Sequence, residues 1–156
     1  MLKEQANSKR RPILPPTYLL IALILMLGLH FIYPGYKFIS IPWNLLGLLF
    51  LGIGIGISSA AEAQFHRVNT TVKPFVKSTT LVTAGMYKFS RNPMYLGFVN
   101  ILLGVAILLG SLVPCLVIPV FMILIDVKFI QVEEHMLAIT FGKEWNDYAQ
   151  KVKRWI

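Results

Sequence analysis

An arginine and an asparagine ahead of a proline, Arg91-Asn92-Pro93, and two adjacent acids, Glu133-Glu134, are the residues of this chain best suited to chemistry. Both clusters stand at the edges of long apolar blocks, where charged side chains are costly and persist for a purpose. Pro93 suits the first turn of a helix, where its missing N–H costs nothing. The free N–H groups and positive dipole end of such a helix suit a carboxylate or phosphate. The Arg91 guanidinium adds a bidentate donor for the same anion. The plainer reading is an ordinary helix start with an arginine reaching to the membrane interface. The glutamates also have two readings, a structural salt bridge such as Arg91–Glu134 or one wall of a binding site. A zwitterionic cofactor between the clusters would turn its carboxylate to Arg91 and its cationic part to the glutamates and nearby aromatics.

The elements that must position these residues are apolar. Hydrophobic residues make up 56% of the 156-residue chain and charged residues 14%, too apolar for a soluble domain with an ordinary surface. The expected fold is an all-α integral membrane protein of one domain. Four transmembrane helices are expected at about 17–33, 43–61, 94–111 and 113–131, each near the roughly 20 residues that cross a bilayer. The last two are joined by a tight turn at Ser111–Pro114. Residues 1–16 form a polar, basic tail, and the first apolar block has no small-residue cleavage site after it, which favours a retained helix over a signal peptide. Residues 62–93 read as a structured cytoplasmic loop, because regularly placed aromatics (Phe65, Phe75, Tyr87, Phe89) argue against disorder. Gly142 can stop the last helix, and 143–155 then reads as an amphipathic interfacial helix with Trp145, Tyr148, Val152 and Trp155 on its apolar side.

Charge sets the orientation. Lys and Arg gather in the amino-terminal tail, in the segment from Glu62 to Asn92 and in the carboxyl tail, whereas the connection between the first two helices holds only Lys37. The positive-inside rule places both termini and the long loop in the cytoplasm, as in a multi-pass protein of a bacterial-type inner or plasma membrane. Topology and anionic lipid account for the net charge of +8 without nucleic acid. Gly47, Gly52, Gly54 and Gly56 lie within the second span, where they favour close helix packing over a phosphate loop. Cys115 has no partner for a disulfide or zinc site. His30, His66 and His135 share no ligand spacing, so no metal is expected.

Three segments in order, Thr80-Leu81-Val82-Thr83-Ala84-Gly85-Met86-Tyr87, then Ser90-Arg91-Asn92-Pro93-Met94-Tyr95-Leu96-Gly97, then Glu133-Glu134 with Leu137, Phe141-Gly142, Trp145 and Tyr148, carry a resemblance. Over about residues 66–155 the chain resembles the isoprenylcysteine carboxyl methyltransferase and phospholipid methyltransferase family of membrane enzymes. The resemblance implies S-adenosylmethionine at the cytoplasmic ends of the last two helices and a membrane lipid or other lipophilic acceptor entering from the bilayer. It assigns Thr79, Thr80, Leu81, Val82 and Tyr87 to the loop part of the cofactor site. Asn92, Pro93, Met94 and Tyr95 form its helix-start part, and Glu134 completes its wall. Glu133 positions the acceptor. The eukaryotic enzymes carry histidine where Asn92 stands and arginine where Phe129 stands. Asn92 can still donate to the cofactor carboxylate. Phe129, with Lys128 beside it directed differently, leaves the acceptor open.

The expected activity is methyl transfer to a carboxylate oxygen or an amine nitrogen, with Glu133 and Arg91 as the catalytic residues. Phe129 and Asp126 are the candidate substrate contacts, although a simple hydrogen bond to a neighbouring helix is the plainer reading of Asp126. A carboxylate acceptor needs no general base, whereas an amine would use Glu133. Two other classes compete: an NADPH-dependent sterol-type reductase, which shares a related arginine–x–proline–x–tyrosine element, and a non-catalytic membrane protein in which both clusters are anchors.

Overall fold

The computed structural model describes residues 14–67 and 80–156, and its regular structure there is all helical. Helix α1 is Pro15–Ile32, opened by the two prolines that suit a first turn. A 3-10 turn at Trp43–Leu46 leads into α2, Gly47–Arg67, so α2 takes up the first residues expected in the loop. A second 3-10 turn, Gly85–Lys88, precedes α3, Pro93–Leu109. Helix α4 runs from Leu112 to Phe141 and contains a π-turn at Asp126–Ile130. Helix α5, Lys143–Lys151, follows Gly142, whose φ of 51° breaks the chain direction.

Among the described residues, three helical segments are long and apolar enough to cross a membrane: Pro15–Ile32, Trp43–Arg67 and Leu112–Phe141. Helix α3 is equally apolar but has 17 residues. The turn between α3 and α4 is tighter than expected. Gly110 adopts φ 64° and closes α3, Ser111 is extended, and Pro114 already lies in the first turn of α4. On the same end of the molecule the α1–α2 connection pairs with this turn. Phe38 donates its N–H to Gly110, Leu112 donates to Tyr36, and His30 Nδ1 lies 2.9 Å from Ser111 Oγ.

Helices α1, α3 and α4 share a core of Met26, Phe98, Leu102, Phe121, Ile125 and Ile130, all buried. Leu20, Ile24, Leu48, Ile55 and Ile123 are exposed on the outside, the apolar surface a bilayer would cover. Helix α2 meets α3 through small residues. A Cβ added to Gly54 would lie 2.6 Å from the carbonyl oxygen of Gly97, and one added to Gly104 would lie 2.7 Å from that of Gly47. Ser58 also donates its hydroxyl to the Met94 carbonyl at 3.3 Å. In lipid, where apolar burial does not drive helices together, this backbone contact does the joining. Gly52 and Gly56 face open space instead.

Gly54→Leu is therefore expected to destabilise the folded protein by about 3 kcal/mol, because the helices must separate. Gly52→Leu should leave the thermal midpoint in detergent unchanged. Equal midpoints for the two variants would contradict this packing.

The carboxyl end departs from expectation. The helix expected over 143–155 ends at Lys151, and Val152 is extended (φ −118°, ψ 130°). The apolar side of α5 is used by the protein itself. Trp145 is buried, and the Tyr148 hydroxyl donates to the Tyr87 carbonyl at 2.7 Å. The last residues then cross the start of α3.

Candidate functional site

Pro93 begins α3 with Asn92 as the preceding residue, and both are buried. Arg91 donates its backbone N–H to the Lys153 carbonyl at 3.0 Å. Ser90 Oγ and Asn92 Nδ2 both donate to the Arg154 carbonyl, at 3.2 and 3.1 Å. The start of α3 is thus covered by the tail. Asn92, expected to donate to a cofactor carboxylate, spends its side-chain amide on the tail backbone.

The side chains above this crossing form one charged network. Arg91 Nη2 lies 3.4 Å from Glu134 Oε1, and both side chains are largely buried. Arg154 Nη2 meets Glu134 Oε2 at 2.6 Å, and its Nη1 meets Asp126 Oδ1 at 3.2 Å. Gln131 Nε2 donates to Asp126 Oδ2 at 2.9 Å. The salt bridge Arg91–Glu134 is present, but it does not exhaust Arg91. Its guanidinium lies 5.7 Å from the centroid of Trp145, and its Nε is buried without a hydrogen-bond partner among the described residues. Hydrogen bonding to Glu134 raises the affinity of Arg154 for its proton.

Glu133 points elsewhere on the same helix end. The Tyr95 hydroxyl donates to Glu133 Oε1 at 2.9 Å, joining the first turn of α3 to α4. Tyr87 is buried nearby with Val82 and Ala61, edge-on to Phe65, and Met94 packs against the group. Burial pushes the Tyr87 phenol up, with the Glu133 carboxylate adding to the rise. Burial also pushes Tyr148 up to about 12 against the pull of Arg91. Both phenols therefore stay protonated at neutral pH.

Among the residues singled out from the sequence, Arg91, Asn92, Tyr95, Asp126, Glu133 and Glu134 gather at one end of α3 and α4. Leu81 is half-buried and Thr80 exposed, while Thr79 lies outside the described residues. Phe129 is buried in the α1–α3–α4 core, edge-on to Tyr18 and tilted against Tyr95. Asp126, a candidate substrate contact, is paired with Arg154 and Gln131. Arg154 is the member that sequence reasoning missed. Its only signal was an arginine beside an aromatic, Arg154-Trp155, after an amphipathic helix.

Arg154→Ala would leave Asp126 and Glu134 short of a shared cation and loosen the tail. The expected cost is on the order of 1–3 kcal/mol, since Arg91 still offsets Glu134 and the Arg154 side chain is 36% exposed. Chemical denaturation in detergent should show it, with faster proteolysis of the last residues. An unchanged midpoint would mean the network carries no stability.

A polar network seated among long apolar helices defines an integral membrane protein with one strongly built helix-end site. Residues 43–144 match the profile of the phospholipid methyltransferase family, more than half of the chain, and the protein belongs to that family. A protein-S-isoprenylcysteine O-methyltransferase of Schizosaccharomyces pombe is 30% identical over 124 residues, 80% of this chain and 50% of that protein. Protein-S-isoprenylcysteine O-methyltransferase B of Arabidopsis thaliana is 33% identical over 72 residues, 46% of this chain and 36% of that protein. An uncharacterised protein of Haemophilus influenzae is 38% identical over 63 residues, its whole length and 40% of this chain. The chain spans half or less of the named methyltransferases it matches.

Proposed function

We propose that the protein transfers the methyl group of S-adenosylmethionine to an oxygen or nitrogen of a lipophilic acceptor at the cytoplasmic membrane face. The observation that carries this reading is the buried Nε of Arg91, which has no hydrogen-bond partner among the described residues and sits beside Glu134 ahead of α3. A carboxylate fits that donor, and a cationic centre fits the adjoining Glu134 and Trp145. Thr80, Leu81, Val82, Tyr87, Pro93 and Met94 supply the flanking wall. The cofactor supplies a methyl group on a sulfonium, already activated for transfer.

The work left to this chain is positioning. Tyr95 fixes the Glu133 carboxylate, and the tail strapped over α3 keeps water from the helix start. For a carboxylate acceptor, alignment and exclusion of water supply most of the rate. For an amine, Glu133 accepts the proton. The names of the relatives point to an isoprenylcysteine carboxylate and the family description to a phospholipid. In this topology α3 is the third of four spans, slightly short at about 26 Å, with both termini and the 62–93 segment in the cytoplasm. Helix α5 then lies at the membrane surface.

Calorimetry with the purified protein tests the cofactor directly. S-adenosylmethionine should bind and NADPH should not. The opposite preference would favour a reductase, and no binding of either by folded protein would leave only a non-catalytic role.

A further inference from the structure

The π-turn in α4 sends its residues in three directions. Asp126 reaches Arg154, Phe129 enters the core, and Lys128 stands exposed on the outer surface. Such turns insert an extra residue into a helix and recur at functional positions. Lys128 is a cation within an apolar surface, because Ile123, Leu124, Val127 and Val132 around it are all exposed. Its Nζ lies 3.5 Å from the Tyr18 hydroxyl and 5.7 Å from the centroid of the Tyr18 ring. No carboxylate stands within 4.0 Å of it among the described residues. An ammonium at the edge of hydrocarbon is costly without a counter-ion, and the described residues provide none.

The position is connected to the site. The Tyr18 ring meets Phe129 at 5.4 Å, Phe129 meets Tyr95 at 6.4 Å, and the Tyr95 hydroxyl holds Glu133. Along α4, Lys128 precedes Glu133 by about 8 Å of helix. Tyr18 lies in the first turn of α1, the end nearest the polar amino-terminal tail.

We infer that Lys128 and Tyr18 form a subsite, open to the bilayer, that takes the anionic group of the lipophilic acceptor, a phosphate or carboxylate. Lys128 supplies the charge, and the Tyr18 hydroxyl a second donor. The aromatic path behind them sets the spacing between that anion and the reacting end at Glu133. This rests on the methyltransferase reading and names the acceptor as an anionic amphiphile.

Native mass spectrometry of the full chain in detergent tests the subsite independently of turnover. The probes are a phosphatidic acid and the diacylglycerol with the same acyl chains. The wild-type protein should prefer the phosphatidic acid by about tenfold. Lys128→Gln should bring the two together, Lys128→Arg should restore the preference, and Lys151→Gln, at an exposed position of α5, should leave it intact. A preference that survives Lys128→Gln would overturn the subsite, as would displacement of the lipid by inorganic phosphate, which would make it a small-anion site. In a methyl-transfer assay, Lys128→Gln should raise KM for an anionic amphiphile about tenfold while kcat holds. Methylation indifferent to both headgroup and Lys128 would sink the subsite and leave the enzyme reading standing. Lys128-dependent lipid binding with no methyl transfer to any amphiphile would overturn the enzyme reading instead, and with it the acceptor role.

Discussion

Glu133→Gln is expected to lower methyl transfer to an amine acceptor by about 10²–10⁴-fold while the protein still inserts and folds. The substitution keeps the shape, and its amide oxygen can still accept the Tyr95 hydroxyl that holds Glu133 at 2.9 Å. Only the negative charge and the ability to take a proton are lost. A structural role predicts a small effect, since the α3–α4 hydrogen bond survives. A reacting role predicts a large one. Tyr95→Phe separates the parts further. It leaves the carboxylate and frees its orientation, so activity should fall less than in Glu133→Gln. Rates with saturating cofactor and matched thermal midpoints make the comparison, and full activity in purified Glu133→Gln would remove Glu133 from the mechanism.

The second large effect is at Arg91. Arg91→Ala should weaken cofactor binding by about 10- to 100-fold, the worth of a hydrogen bond to a charged group. The fold should survive, because Glu134 keeps its shorter contact to Arg154 at 2.6 Å and the Arg91 backbone N–H still bonds Lys153. Arg91→Lys should rescue little. An ammonium retains the charge but offers neither the Nε donor nor the planar face set against Trp145. Calorimetric titration of the wild type and both variants checks this. Equal affinity in all three would return Arg91 to the role of a salt bridge for Glu134.

Much of this arrangement was legible in the sequence because it follows from short-range rules. Pro93 had to begin a helix, Gly142 had to interrupt one, and the small residues of α2 had to lie against a neighbour. The particular pairing of Gly47 and Gly54 with Gly104 and Gly97 was not readable, because Gly52 and Gly56 look the same in sequence and differ only in which side of α2 they occupy. The meeting of Arg91 with Glu134 could be expected from the short α3–α4 turn, which makes those helices antiparallel neighbours.

Arg154 was hidden for a different reason. Its place depends on Val152 leaving the helix, and the amphipathic pattern through Trp155 suggests that the helix continues. The hydrogen bond of Asn92 was hidden for the same cause, since the carbonyl it meets belongs to that tail. The surroundings of Phe129 and Lys128 were not readable because they lie in a π-turn, which no residue type announces. Regular 3.6-residue counting fails at Asp126–Ile130, where the chain turns its side chains to the network, the outer surface and the core in succession.

One measurement bears most directly on the central claim. Purified protein is incubated with S-adenosylmethionine labelled in the methyl group and with a membrane lipid extract, and the organic phase is then separated and counted. Label should enter an extractable amphiphile with the wild type and stay at background with Glu133→Gln. A folded wild-type protein that leaves all label in the aqueous phase, across lipid extracts rich in phosphate and carboxylate headgroups, would contradict methyl transfer at this site.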